Sequence, residues 1–129
     1  MLTASDIMST PVQTVTAQTP VRDLAQFLSS RHISGAPVLS DDGAVIGIVT
    51  GADLLSKPGA TAGEIMTPRV MSVAEDTPVQ EIAHLLGRLK ITRVPVMRDQ
   101  SLVGIVSRGD IVRAIAHAEQ PGNVIEITG

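Results

Sequence analysis

Two stretches of the chain, GIVTGAD at 47–53 and GIVSRGD at 104–110, hold a glycine, a hydroxyl residue and an aspartate in one spacing, G-x-x-[ST]-x-x-D. These residue types support two kinds of chemistry. Thr50-x-x-Asp53 and Ser107-x-x-Asp110 have nearly the form of a capping box, which stabilises a helix start by about 1 kcal/mol with no ligand at all. The same groups suit a ligand. An ionised Asp only accepts hydrogen bonds and matches two vicinal hydroxyl donors. A hydroxyl at a helix entrance joins free backbone N–H groups that favour an anion by about 0.3–1 kcal/mol in exposed settings. Gly47 and Gly104 let a ligand or a neighbouring strand approach the backbone closely. The spacing alone leaves both readings open: two helix entrances, or two halves of a ligand site.

The elements around these stretches repeat as well. Met8 and Met66, Val15 and Val73, Pro20 and Pro78, and Pro37 and Pro95 are each 58 residues apart. Gly47 and Gly104, Thr50 and Ser107, and Asp53 and Asp110 are 57 apart, one residue being lost where DDGAV becomes DQSLV. A deletion in a turn leaves both copies in register. Thr19-Pro20-Val21 and Thr77-Pro78-Val79 read as helix starts with Thr as cap and Pro at the first helical position, and Gln80 completes a capping box in the second. Val21, Leu24, Ala25 and Leu28, and Val79, Ile82, Ala83, Leu86 and Leu89, recur at helical spacing. Strand-like runs follow, APVL with AVIGIVT and VPVM with LVGIVS, each pair joined by a polar turn at Asp41 or Asp99. A last helix begins near Asp53 or Asp110, with Ile111, Val112, Ile115 and Ala116 as the apolar stripe of the second. Each unit thus reads strand, helix, strand, strand, helix. The predicted division is 1–57, a connector at 58–63, 64–119, and a tail at 120–129 that adds a short strand or hangs free. A unit of about 55 residues buries only about 60% of its surface, so the copies are expected to pack together.

Composition narrows the function classes. The chain has 129 residues, 43% of them hydrophobic and 18% charged, which places it among globular sequences. Phe27 is the one aromatic residue, so the core rests on aliphatic side chains. A net charge of −3 argues against nonspecific nucleic-acid binding, and there is no cysteine for disulfides or thiolate ligands. The opening MLTASDIM lacks signal-peptide features, and no apolar run reaches a membrane span, so a cytoplasmic protein is expected. His32, His84 and His117 are scattered without metal-ligand spacing. No G-x-S-x-G, Cys–His, paired-carboxylate or G-x-x-x-x-G-K-[ST] arrangement is present, and the chain is expected not to be an enzyme.

From Asp6 to about Ala118 the sequence resembles the paired cystathionine-beta-synthase (CBS) domains, or Bateman module. The DIM and EIM openings, the ISGAPV and ITRVPV segments and the two G-x-x-[ST]-x-x-D stretches carry the resemblance. It implies an α/β fold, a tandem pair of β-α-β-β-α motifs packed through their sheets with pseudo-two-fold symmetry and two clefts between them, often as a dimer of modules. It implies a regulatory ligand of the adenosine type, AMP, ADP, ATP or S-adenosylmethionine, whose binding shifts the conformation of a partner protein. In that pattern Asp53 and Asp110 accept from ribose hydroxyls, and Thr50 and Ser107 approach the phosphate. Adenine would lie against apolar and backbone groups near Ile33, Ala36 and Pro37, or Ile91, Val94 and Pro95, with Val12 and Val70, from the strands after IM, as further wall candidates.

The copies differ in charge. Lys90, Arg93 and Arg108 stand where the first copy has His32, Gly35 and Gly51, which predicts two unequal sites. Arg93 is the first choice for a phosphate contact, against a solvated arginine on a strand edge; Arg108 is a second choice, against an exposed place in the helix-entrance turn. Two other classes remain: a dimerising interaction module with empty clefts, and a nucleic-acid binder using Arg88, Lys90, Arg93 and Arg98.

Overall fold

A computed structural model describes residues 1–68 and 70–117. The expected tail at 120–129 lies outside the described residues. Two compact units form, and they do not follow the order of the repeat. One holds residues 13–70, the other residues 1–12 together with 71–117. The predicted division at 58–63 follows the sequence copies, whereas the packing divides at 12/13 and 70/71.

The unit of residues 13–70 contains β1 (Val15–Thr16), α2 (Val21–Ser30), β2 (Gly35–Leu39), β3 (Val45–Thr50), α3 (Gly51–Ser56), α4 (Ala62–Ile65) and β4 (Thr67–Pro68). Its sheet runs β1-β2-β3-β4, with β1 parallel to β2 and the other pairs antiparallel. The other unit opens with α1 (Ala4–Ile7) and continues through β5 (Val73–Ala74), α5 (Val79–Leu89), β6 (Arg93–Arg98), β7 (Ser101–Ser107) and α6 (Arg108–Ala116). Its sheet runs β5-β6-β7, and Ser9 bridges Ile105 on β7 where β4 lies against β3 in the first unit.

Each sequence copy therefore gives its opening segment to the other copy's core. Ala4 of α1 is fully buried among Val79, Ile82, Leu86, Val94, Val96, Val106 and Ile111. Ala62 and Ile65 of α4 are buried among Val15, Leu24, Leu28, Ala36, Val38 and Val49. One-turn helices are too short to persist alone. Both are held by the backbone just before the long helix: the Ala4 N–H donates to Thr77 O at 2.8 Å, and the Ala62 N–H to Thr19 O at 2.8 Å.

Pro37 and Pro95 sit inside strands yet are tolerated. β1 pairs only with Val38 and Leu39, and β5 only with Val96 and Met97, so each proline lies where its strand has a neighbour on one side. The turn lost one residue between copies: Gly43 takes φ +86 in the first, and Asp99 takes φ +54 in the second.

Several local expectations change. Pro20 and Pro78 are the N-caps of α2 and α5, not their first helical residues, with extended ψ of 147 and 142, and no side chain caps either helix. The Gln80 capping box is therefore not formed, and Thr19 Oγ1 instead accepts from the Thr16 N–H at 3.1 Å. Ala25 is exposed on α2, and Leu89 is 41% exposed at the end of α5. On α6 only Ile111 of the expected stripe is buried; Val112 is 63% and Ile115 42% exposed, and Ala116 is exposed too.

Candidate ligand-binding site

The hydroxyl-and-aspartate pairs lie where β3 runs into α3 and β7 runs into α6, and both form complete capping boxes. In the first, Asp53 Oδ2 accepts from the Thr50 N–H at 2.8 Å and from Thr50 Oγ1 at 3.2 Å. The Asp53 N–H donates back to Thr50 Oγ1 at 3.3 Å. In the second, Asp110 Oδ2 accepts from the Ser107 N–H at 2.8 Å and from Ser107 Oγ at 3.1 Å, and the Asp110 N–H donates to Ser107 Oγ at 3.2 Å. Helix entrance is thus a real role of both stretches. Both carboxylates are buried, Asp53 7% and Asp110 5% exposed.

The other carboxylate oxygen distinguishes the two. Asp53 Oδ1 meets Lys57 Nζ at 2.9 Å, one helical turn on, and the same ammonium donates to Thr67 Oγ1 at 3.5 Å. Asp110 Oδ1 pairs with Arg113 and also accepts from Ser9 Oγ at 3.2 Å. Ser9 and Thr67 are 58 residues apart, so the two copies carry a hydroxyl at the same place and use it differently. Lys57, Thr67, Ser9 and Arg113 were not among the residues that sequence reasoning selected. Two signals pointed to them: a cation three or four positions after each Asp, and a hydroxyl directly after each IM pair.

The structure brings several of the expected residues against these boxes. Gly35 is in register with Thr50 and Arg93 with Ser107, and Ala36 and Val94 follow at the next positions. The Gly51 N–H donates to Ser34 O at 3.0 Å and the Arg108 N–H to Thr92 O at 2.9 Å, so the loop before each strand closes on the helix entrance. Arg93 is partly buried; its Nε donates to Thr92 Oγ1 at 3.3 Å, and burial lowers its pKa from the usual arginine value. Arginine stays charged at neutral pH regardless. Arg108 is exposed at the first position of α6.

The apolar candidates divide in two. Ala36 and Val94 are 0% exposed in their cores, and Pro37 and Pro95 are fully buried, so these four offer a ligand no surface of their own unless the core opens. Ile33 and Ile91 are partly buried and pack on the rim of their cores. Val12 and Val70 are partly buried but lie outside the strands, contrary to their expected place. Gly47 and Gly104 are each approached by a methionine, Met66 and Met8, and Gly47 by backbone as well: a Cβ there would stand 2.9 Å from Met66 Cγ and from Thr67 O.

Of the basic residues in the nucleic-acid reading, Arg98 is paired with Glu75, its Nη2 and Nε each 2.9 Å from a carboxylate oxygen. Among the described residues no three His, Cys, Asp or Glu side chains gather as a metal set. No helix among them is long and apolar enough to cross a membrane.

Comparison with known proteins accounts for the repeated pattern. The CBS domain family model matches residues 4–59 and again 62–117. An uncharacterized protein of Bacillus subtilis, YlbB, is 30% identical over 97% of this chain and 90% of its own length. The crystal structure of CBSX2 in complex with AMP, a protein of Arabidopsis thaliana, matches with TM-score 0.85 and 30% identity, over 93% of this chain and 100% of that one. The CBS domain pair of protein MJ0100, in complex with 5′-methylthioadenosine and S-adenosyl-L-methionine, matches with TM-score 0.84 and 32% identity, over 89% and 96%. The L-aspartate semialdehyde sulfurtransferase of Methanocaldococcus jannaschii is 34% identical, but this chain spans only 22% of it. The two capping boxes, their repeat spacing and these matches together identify the chain as a pair of CBS domains.

Proposed function

We propose that this protein is a non-catalytic regulatory module that binds an adenosine-type ligand, AMP, ADP, ATP or S-adenosylmethionine, and signals occupancy to a partner protein in the cytoplasm. The observation that carries this reading is the pair of buried aspartates, each held by a capping box with one oxygen turned to flexible cationic partners. A ligand diol can replace a lysine or arginine donor on that oxygen without breaking the helix cap. Arg93 and Arg108 beside the second box supply cationic partners for a phosphate. The Thr50 or Ser107 hydroxyl donates to it by turning its single proton from Asp Oδ2, while the backbone N–H bonds of the cap remain. Ile33 and Ile91, partly exposed beside the buried Ala36, Pro37, Val94 and Pro95, would hold the base. The likeness to domain pairs solved with AMP and with S-adenosyl-L-methionine supports the choice of ligand class. The mechanism is linkage: a ligand that prefers one conformation raises its population, and the partner reads that population. Isothermal titration of nucleotide-stripped protein with AMP, ADP, ATP and S-adenosylmethionine tests this. Absence of binding at millimolar concentration overturns it.

A second reading, a homodimeric interaction module with no ligand, is favoured by exposed apolar side chains at matched positions. Leu55 on α3 is 91% exposed and Val112 on α6 is 63% exposed, 57 residues apart. Sedimentation of Leu55→Glu and Val112→Glu variants separates the readings. The second reading holds if wild type sediments as a dimer, binds none of the four ligands, and either variant is monomeric; ligand binding by wild type overturns it.

A further inference from the structure

The two aspartates differ in how fully their acceptor sites are used. A carboxylate offers about four lone-pair positions. Asp110 fills them with the Ser107 N–H, Ser107 Oγ, Ser9 Oγ and Arg113. Asp53 receives only the Thr50 N–H, Thr50 Oγ1 and Lys57. In the first unit the hydroxyl matching Ser9, Thr67 Oγ1, accepts from Lys57 at 3.5 Å.

From this difference we infer that Ser9 and Arg113 are positioning residues that restrict access to Asp110, so that the Asp53 site fills first. The inference rests on the ligand reading above. Two donors on Oδ2 build the cap of α6, so an incoming diol must take Oδ1, and there it meets both Ser9 and Arg113. Arg113 is 67% exposed and can swing into water, while the Asp110 side chain is 4% exposed and cannot follow it. Ser9 is less free. Its N–H donates to Ile105 O at 2.8 Å and its carbonyl accepts from the Ile105 N–H at 3.3 Å, which fixes it to the edge of β7. The next residue toward the N-terminus, Met8, packs on Gly104 of the same strand. Release of the Ser9 hydroxyl therefore costs a side-chain bond to Asp110 while both backbone bonds to Ile105 remain. At Asp53 the diol displaces one ammonium that is 41% exposed; that ammonium also reaches Thr67 Oγ1 of β4 at 3.5 Å, but the Thr67 hydroxyl makes no bond to Asp53 that the diol must break.

The test is a calorimetric titration of the full chain, freed of nucleotide, with AMP as the probe. Wild type is expected to show two binding events of unequal strength, the weaker removed by Asp110→Asn and the stronger by Asp53→Asn. Arg113→Ala should tighten the weaker event by about threefold to fivefold, the scale of one lost exposed ion pair, and leave the stronger event in place. Ser9→Ala should act in the same direction, and Arg113→Lys, which keeps the pair, should behave as wild type. A merely structural role for Arg113 would weaken both events or neither. If the stronger event persists while Arg113→Ala and Ser9→Ala leave the weaker one unmoved or weaker still, the restriction at Asp110 is wrong and the ligand reading stands. If neither wild type nor Arg113→Ala takes up AMP, ADP, ATP or S-adenosylmethionine at millimolar concentration, the ligand reading falls and this inference with it.

Discussion

Met8 lies against Gly104 so closely that a β-carbon at residue 104 would overlap its sulfur and stand 2.7 Å from its Cγ. The glycine that opens the second G-x-x-[ST]-x-x-D stretch is thus a packing requirement of the exchanged segment. Gly104→Ala is expected to destabilise by about 1–3 kcal/mol, the cost of overpacking. Met8→Ala should relieve part of it, giving a coupling of about 1 kcal/mol in a double-mutant cycle by urea denaturation. Additive losses would show that Met8 is not what excludes the side chain. Gly47→Ala is the stricter case, because Thr67 O, a backbone atom, stands 2.9 Å from the added carbon.

Removing the aspartates should cost stability before any ligand is considered. Asp110→Ala deletes the acceptor of Ser107, Ser9 and Arg113 at once, and Asp53→Ala that of Thr50 and Lys57. A lost cap is worth about 1 kcal/mol, and orphaned donors add to it, so about 1–3 kcal/mol is expected for each. Asp110→Ala should be the larger. Lys57→Ala, which removes a pair with a 41% exposed ammonium, should cost under about 1 kcal/mol. Chemical denaturation checks the order, and equal losses for all three would contradict the cap assignment.

The repeat, the two hairpins and the long helices were legible because their signals are local: apolar periodicity, x-x-P-V strands and turn residues. The exchange of opening segments was not. Nothing near Ala4 or Ala62 states that its partner is the other copy's core, since that choice is made by long-range packing. Thr-Pro at the two helix starts was misread by one position because Pro fits both the cap and the first turn, and the chain direction at Thr19 decides between them. Val112 and Ile115 show a further limit. Periodicity marks an apolar face but not whether the unit itself covers it. At the site, Thr50, Asp53, Ser107 and Asp110 were visible from spacing, while Ser9 reaches Asp110 from 101 residues away.

The ion pair of Arg98 with Glu75 ties β6 to the residue after β5 and makes stability depend on acid. Hydrogen bonds from Arg98 hold the Glu75 carboxyl below its ordinary value. A depressed folded-state pKa stabilises above the unfolded value, near 4.3, and that contribution is lost as pH falls through the folded value. Glu75→Gln should therefore be less stable than wild type at pH 7, and the two should converge in acid once the Glu75 carboxyl is protonated in the folded state as well. Arg98 is 63% and Glu75 32% exposed, so added salt should shrink the difference at pH 7. A difference that persists in acid would trace the effect to packing instead.

Arg93 separates phosphate recognition from nucleoside recognition. It stands in register with Ser107, is partly buried, and replaces Gly35 of the first copy. If it meets a phosphate, Arg93→Ala should weaken AMP at the Asp110 site by about 1.5–3 kcal/mol, the value of a charged hydrogen bond, and leave adenosine or 5′-methylthioadenosine nearly unchanged. Arg93→Lys should restore part of the AMP affinity, since an ammonium keeps the charge but not the two-pronged geometry. Calorimetry with AMP and adenosine on wild type and both variants reads this directly. Equal weakening of the two ligands would place Arg93 in the scaffold of the β6–β7 hairpin and leave the phosphate to Arg108 and the α6 N-terminus.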